Sequence, residues 1–131
     1  MLEPVRAEKM KFFSSLHKRI IKNFMDILVL SELKRSPLSG YDVMTFINQE
    51  FNFLPSSGSV YALLNAFERQ GLVKGDWNER KRIYILTRKG EETVEAAGTA
   101  RWKIENLVTR IFSSSLTDFS LRKPEYQLFE S

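Results

Sequence analysis

The sequence predicts a mainly α-helical domain with one small β-hairpin between its third and fourth helices. Three stretches carry that prediction. Val60, Leu63, Leu64 and Phe67 fall at i, i+3, i+4 and i+7, one face of a helical period. Directly behind them, Leu72–Trp77 and Arg82–Leu86 are rich in β-branched and aromatic residues and flank the polar run Asn78-Glu79-Arg80-Lys81. Ahead of them, residues 17–34 are dense in aliphatic side chains at helical spacing.

The elements follow in chain order. Residues 1–16 form an extension that fits two states. Pro4 suits the first turn of a short helix with Phe12, Phe13 and Leu16 inward, and a frayed tail fits the same residues. Residues 17–34 form the first helix of the domain proper. Its apolar positions, among them Ile20, Ile21, Phe24, Met25 and Val29, cover too much circumference for packing on one side only. Such a helix is either central to its domain or shared with another subunit. Ser36-Pro37-Leu38-Ser39-Gly40 reads as a turn. Ser39 then N-caps a second helix, Tyr41–Phe51, with Asp42 at N3, where a carboxylate suits the helix dipole. Ser56 caps the third helix, and Gly71 stops it before the hairpin. Thr87 caps a long fourth helix, Arg88 to about Ser115, whose Gly90 and Gly98 each weaken it by up to about 1 kcal/mol against Ala. Its later part carries the stripe Ile104, Leu107, Val108 and Ile111. Residues 116–131 read as a tail.

Two short helices joined by a tight connection form a helix-turn-helix outline. With the hairpin behind them, the order is that of a winged helix-turn-helix with an added long C-terminal helix. The 131 residues suffice for one domain with a modest core, and 43% hydrophobic content argues against disorder. Ten Phe residues are many for this size, and part of that aromatic area is expected against a partner.

Twenty Lys and Arg against 16 Asp and Glu give a net charge of +4, compatible with nucleic acid. Cysteine is absent, which excludes disulfides, thiolate metal sites and a Cys nucleophile. The single histidine, His17, cannot build a metal site with other histidines and reads as an exposed helical residue. No Gly-rich phosphate loop or nucleophile motif appears, so neither an enzyme nor a cofactor or metal is expected. The longest apolar run, Ile27–Leu30, is too short to span a bilayer, and no signal peptide is evident. A soluble cytoplasmic protein without membrane partners is expected.

Three blocks carry a closer resemblance. Pro37-Leu38-Ser39-Gly40-Tyr41-Asp42 is the first. Ser56-Ser57-Gly58-Ser59-Val60-Tyr61, with Leu64, Glu68 and Gly71-Leu72-Val73, is the second. Tyr84-Ile85-Leu86-Thr87-Arg88-Lys89-Gly90 is the third. In residues and spacing, from about Phe24 to Gly90, they resemble the PadR family of transcriptional regulators. Ser57 stands where proline is common in the family, and Phe67 where leucine is usual.

The resemblance implies a dimeric bacterial or archaeal DNA-binding protein, usually a repressor that leaves its operator when an effector binds. It makes 17–87 the DNA-binding domain and 88–115 the dimerisation helix, packed against the partner's N-terminal helix. The chain looks like the short-tailed subgroup. The expected dimer residues are Phe12, Phe13, Leu16, Ile20 and Phe24 on one side and Ile104, Leu107, Val108 and Ile111 on the other.

For the DNA-binding surface, Gly58 allows close approach of the third helix to the DNA backbone, or else relieves packing against the second helix. Ser57 and Ser59 are donors to phosphates or base edges, unless capping claims them. Tyr61 matches a family tyrosine usually near DNA; its other reading is a ring laid over the hairpin. Asn65 suits adenine but sits one turn further back. Tyr41 is a backbone contact by the same resemblance. Arg80, Lys81 and Arg82 are assigned to phosphates or the minor groove. Arg88 and Lys89 read as solvated, and Lys18, Arg19 and Lys22 as a basic surface patch. Trp102 is the best pointer to a small aromatic effector, although an interface tryptophan is the plainer reading. The partners expected are therefore double-stranded DNA with an inverted repeat, half-sites about 34 Å apart, and a second copy of the chain. The rival reading is a winged-helix module that binds protein instead of DNA.

Overall fold

In the computed structural model, which describes residues 4–113, Pro4 opens one uninterrupted helix, α1 (Pro4–Arg35). The break expected between an extension and a first helix at residue 16 is absent. No proline or glycine follows Pro4 within the helix, and Pro4 sits where its missing N–H costs nothing. Residues 1–3 and the expected tail, 116–131, lie outside the described residues. No described helix is long and apolar enough to cross a membrane.

A two-residue strand, β1 (Leu38–Ser39), occupies what reads as a turn in the sequence. It pairs antiparallel with β3 (Lys81–Leu86), Leu38 opposite Tyr84 and Ser39 opposite Ile83. β3 also pairs with β2 (Val73–Asn78), giving a three-stranded sheet of order β1-β3-β2. The hairpin loop is only Glu79-Arg80, and Glu79 has φ 59°. A positive φ at the first of two loop residues is the pattern of a type II′ turn.

The caps are as expected. In α2 (Gly40–Phe51), the Asp42 N–H donates to Ser39 Oγ at 3.1 Å and the Ser39 N–H donates to Asp42 Oδ2 at 2.9 Å, a capping box. In α3 (Ser57–Arg69), Ser56 Oγ accepts from the Ser59 N–H at 3.1 Å. α3 ends in a Schellman motif: the Leu72 N–H donates to Phe67 O at 2.9 Å, and the Gly71 N–H donates to Glu68 O at 3.0 Å. Gly71 has φ 76°, a left-handed conformation that suits glycine.

The expected single helix from Arg88 to about Ser115 is instead α4 (Arg88–Thr99) and α5 (Arg101–Ser113), interrupted at Ala100. Gly98 and the β-branched Thr99 follow each other there. The Thr99 hydroxyl donates to Ala96 O at 2.8 Å, the same carbonyl the Ala100 N–H reaches at 3.2 Å. Such local competition loosens a helix where its propensity is lowest.

By internal contacts the chain divides after Val94. The first unit holds the core. Val29, Val43, Ile47, Val60, Leu64 and Tyr84 are its largest fully buried side chains, joined by Ile21, Met25, Leu33 and Phe67. Thus α1, α2 and α3 enclose the inner face of the sheet. In the second unit, α5 buries no residue.

The two glycines of α4 play opposite parts. A Cβ at Gly90 would meet the Leu72 carbonyl oxygen and the Leu86 side chain, whereas a Cβ at Gly98 would meet nothing. Gly90→Ala should therefore destabilise the fold by about 1–3 kcal/mol through overpacking. Gly98→Ala should stabilise it by about 0.5–1 kcal/mol. Urea unfolding of the two variants checks the opposite signs.

Candidate nucleic-acid interface

The start of α3 is polar and open. Ser56, Ser57, Gly58 and Ser59 are all exposed. Two of the serines are closed on each other: Ser59 Oγ donates to Ser56 O at 2.9 Å, and Ser56 Oγ donates to Ser59 Oγ at 3.0 Å. Ser57 makes no hydrogen bond through its side chain to any described residue. A Cβ at Gly58 would meet no atom within 4 Å, so packing against α2 does not demand glycine there. Free N–H groups at this end carry the positive pole of the helix dipole.

One turn along, Tyr61 is 42% exposed, and its phenol end lies on Gly40 at the start of α2. A Cβ at Gly40 would stand 2.5 Å from Tyr61 Cζ, so glycine is required for this contact. Tyr61, Tyr41 and Ser39 line a cavity of about 380 Å³ whose far wall is Trp77, Tyr84 and the cations Arg80, Lys81 and Arg82. The sheet hairpin thus folds back beside α3. Asn65 is exposed but does not line this cavity.

The three hairpin cations, alike in sequence, differ in structure. Strand pairing puts Arg82 opposite Trp77 and Tyr84 opposite Gly75, on the inner face of the sheet. Arg82 Nη2 lies 2.7 Å from Glu68 Oε2 of α3, and the guanidinium stands 5.8 Å from the Trp77 ring and 5.7 Å from the Tyr84 ring. Gly75 makes room for it, because a Cβ there would be 2.5 Å from Arg82 Nε. The hydrogen bond to Glu68 raises the Arg82 pKa above its ordinary value, so the charge is permanent. Burial pushes the Tyr84 phenol up, against the pull of the Arg82 charge. Arg82 therefore ties the hairpin to α3, while Arg80 and Lys81 stay exposed with no acidic partner among the described residues.

Two other residues depart from their sequence reading. Lys89 is not simply solvated: its ammonium donates to Gln70 O at 2.8 Å, closing the C-terminal end of α3. His17 is exposed, yet its Nε2 donates to Phe51 O at 2.6 Å and ties α1 to the end of α2. Sequence reasoning also overlooked Trp77, which is 68% exposed at the hairpin. Strand alternation would have placed it in line with Val73 and Gly75, on the face that meets α3.

Residues 29–96, just over half of the chain, match the Transcriptional regulator PadR-like family. The chain belongs to that family. It is a transcriptional regulator with a winged-helix fold, not an enzyme. No curated protein matches it significantly in sequence.

Solved structures agree on the fold. A PadR family transcriptional regulator from Eggerthella lenta is 22% identical, with a TM-score of 0.68 over 86% of this chain and 99% of that one. A PadR family transcription regulator from Clostridium difficile R20291 is 26% identical, with a TM-score of 0.58 over 68% of this chain and 97% of its own. F93 from STIV, a winged-helix DNA-binding protein, is 21% identical, with a TM-score of 0.54 over 64% of this chain and 91% of that chain.

In this PadR-like regulator the residues expected at a dimer seam lie largely at the surface. On α1, Phe12, Phe13, Ile20 and Phe24 are exposed and Leu16 is half-buried. On α5, Leu107, Val108 and Ile111 are exposed and Ile104 is half-buried. Trp102 is half-buried, with Lys103 Nζ 5.7 Å from its ring centroid.

Proposed function

We propose that the chain is a homodimeric, sequence-specific DNA-binding repressor of the cytoplasm. The start of α3 enters the major groove of an inverted-repeat operator, and Arg80 and Lys81 of the wing grip the flanking phosphates. The single observation that carries this reading is the pairing of an unobstructed α3 tip with two exposed wing cations that form an ion pair with no described residue. Small hydroxyls, a glycine with open space around it and free N–H groups suit close approach to a phosphate or a base edge. Tyr41 and Tyr61 share a cavity with the wing cations, and a phenol can donate to a phosphate, which supports a backbone role for both. The exposed stripes on α1 and α5 support pairing of two copies, and Trp102 offers a flat face for a small aromatic effector.

Within this reading the wing cations have separate duties. Arg80→Ala with Lys81→Ala should weaken binding to all DNA sequences alike and lower the salt slope by about 2. Fluorescence anisotropy across a salt series checks this. An unchanged slope would remove the wing from DNA binding, and absence of any duplex binding would favour a protein-interaction module. Arg82→Ala should instead leave the slope nearly unchanged, because Arg82 spends its charge on Glu68.

A further inference from the structure

We infer that the lysine face of α1 is a second DNA-backbone site, holding the duplex that flanks each half-site. The inference rests on the DNA-binding reading above and extends it to a surface outside the wing and the α3 tip. Lys18 and Lys22 line a cavity of about 760 Å³ together with Ser56 and Ser59 at the start of α3. The same two lysines, with Lys11, Ser14, Ser15 and Arg19, line a smaller cavity of about 330 Å³ further along α1. The two are therefore one basic groove leading away from the α3 tip. Positions 59 and 61 lie about 200° apart around α3, so the groove flanks the tip on the Ser59 side while the wing flanks it on the Tyr61 side.

The sequence line of α1 explains how the groove arises. Lys11, Lys18 and Lys22 continue the row of Met25, Val29 and Leu33, whose side chains are buried in the core. The face that packs into the domain thus changes from apolar to cationic where the helix passes the α3 tip. Lys22 is held there, its Nζ 5.9 Å from the Phe53 ring centroid. The one carboxylate in the groove, Asp26, lies at the core end and accepts from the Ile27 N–H through Oδ1 at 2.8 Å. Glu8 lies about 60° around the helix from Lys11 and pairs with no described cation. Lys11, Lys18 and Lys22 make no ion pair with any described residue. Their charges have no acceptor among the described residues, and phosphates are the complementary group.

The length of the lysine row fits a duplex. Lys11 and Lys22 are about 16 Å apart along the helix, about half of a 34 Å turn of B-DNA. Leu16, Ile20 and Phe24 lie about 140–180° around α1 from the mean direction of the lysines and Phe12 about 100°, so pairing of two copies on that stripe leaves the lysine face open.

The test compares two duplexes carrying the same inverted repeat, selected from random DNA by the full-length protein. One ends at the outer bases of the repeat; the other extends about six base pairs beyond each end. The wild type should bind the longer duplex about tenfold more tightly at moderate salt, with a steeper salt slope by about 3 per subunit. Lys11→Ala/Lys18→Ala/Lys22→Ala should bind both duplexes alike, with wild-type affinity for the shorter one. A wild type indifferent to flank length, or a triple variant that keeps the advantage, would overturn the inference and leave the DNA-binding reading standing. A wild type that binds neither duplex would overturn both.

Discussion

Replacing Gly58 with leucine should abolish operator binding while the protein stays folded. A Cβ at this position meets nothing in the chain, and leucine is the better helix former by up to about 1 kcal/mol. The unfolding midpoint should therefore hold or rise slightly. Binding should fall by about 100-fold or more, equivalent to about 2.7 kcal/mol, because a branched side chain in the first turn holds the α3 backbone off the duplex. Gly40 provides the contrast. A Cβ there meets the Tyr61 ring, so Gly40→Ala displaces a ring of the proposed DNA-facing surface and does not test the α3 tip alone. Anisotropy with operator DNA, beside urea unfolding, separates the two quantities for Gly58→Leu. Undiminished binding in that variant would mean that the α3 tip does not dock on DNA.

What was legible in the sequence is what depends on near neighbours. Ser39 with Asp42, Ser56 with Ser59, Gly71 behind α3 and Thr87 before Gly90 each act within a few residues, and each cap forms as its local chemistry dictates. The hairpin was legible for the same reason, although its loop proved two residues shorter than the polar run suggests. β1 was not, because two residues carry no periodicity and their partner strand lies more than forty residues away. Arg82 looked like its neighbours until strand register turned it towards Glu68 of α3. Gly90 looked like a helix weakness, yet the Leu72 carbonyl that excludes a Cβ there belongs to the chain before β2. The lysines of α1 read as a surface patch because nothing local shows that α3 starts beside them. Propensity sees contacts within a turn or two; the candidate interface is assembled from contacts many residues apart.

Leu107→Asp with Ile111→Asp should convert the protein to monomers and weaken operator binding to a degree comparable with Gly58→Leu. In α5 Leu107 is 55% exposed, Ile111 60%, Val108 43% and Phe112 40%, and no residue of the helix is buried. Burying each of these side chains against a second copy would contribute up to about 1.5–3 kcal/mol. That is a strong reason for two copies to pair, and also why a carboxylate at the centre of the stripe should separate them. Light scattering should then report the mass of one 15.3 kDa chain. Losing the second half-site removes the gain of linked binding, about 10²–10⁴-fold, while a single half-site is still recognised. The variant should thus retain the wing's salt dependence per subunit and lose only the preference for paired half-sites. A dimer that persists would move the seam to the α1 face, where Phe12→Asp with Phe24→Asp should then dissociate it. Dissociation by the α1 pair alone would show that α5 is exposed for another partner.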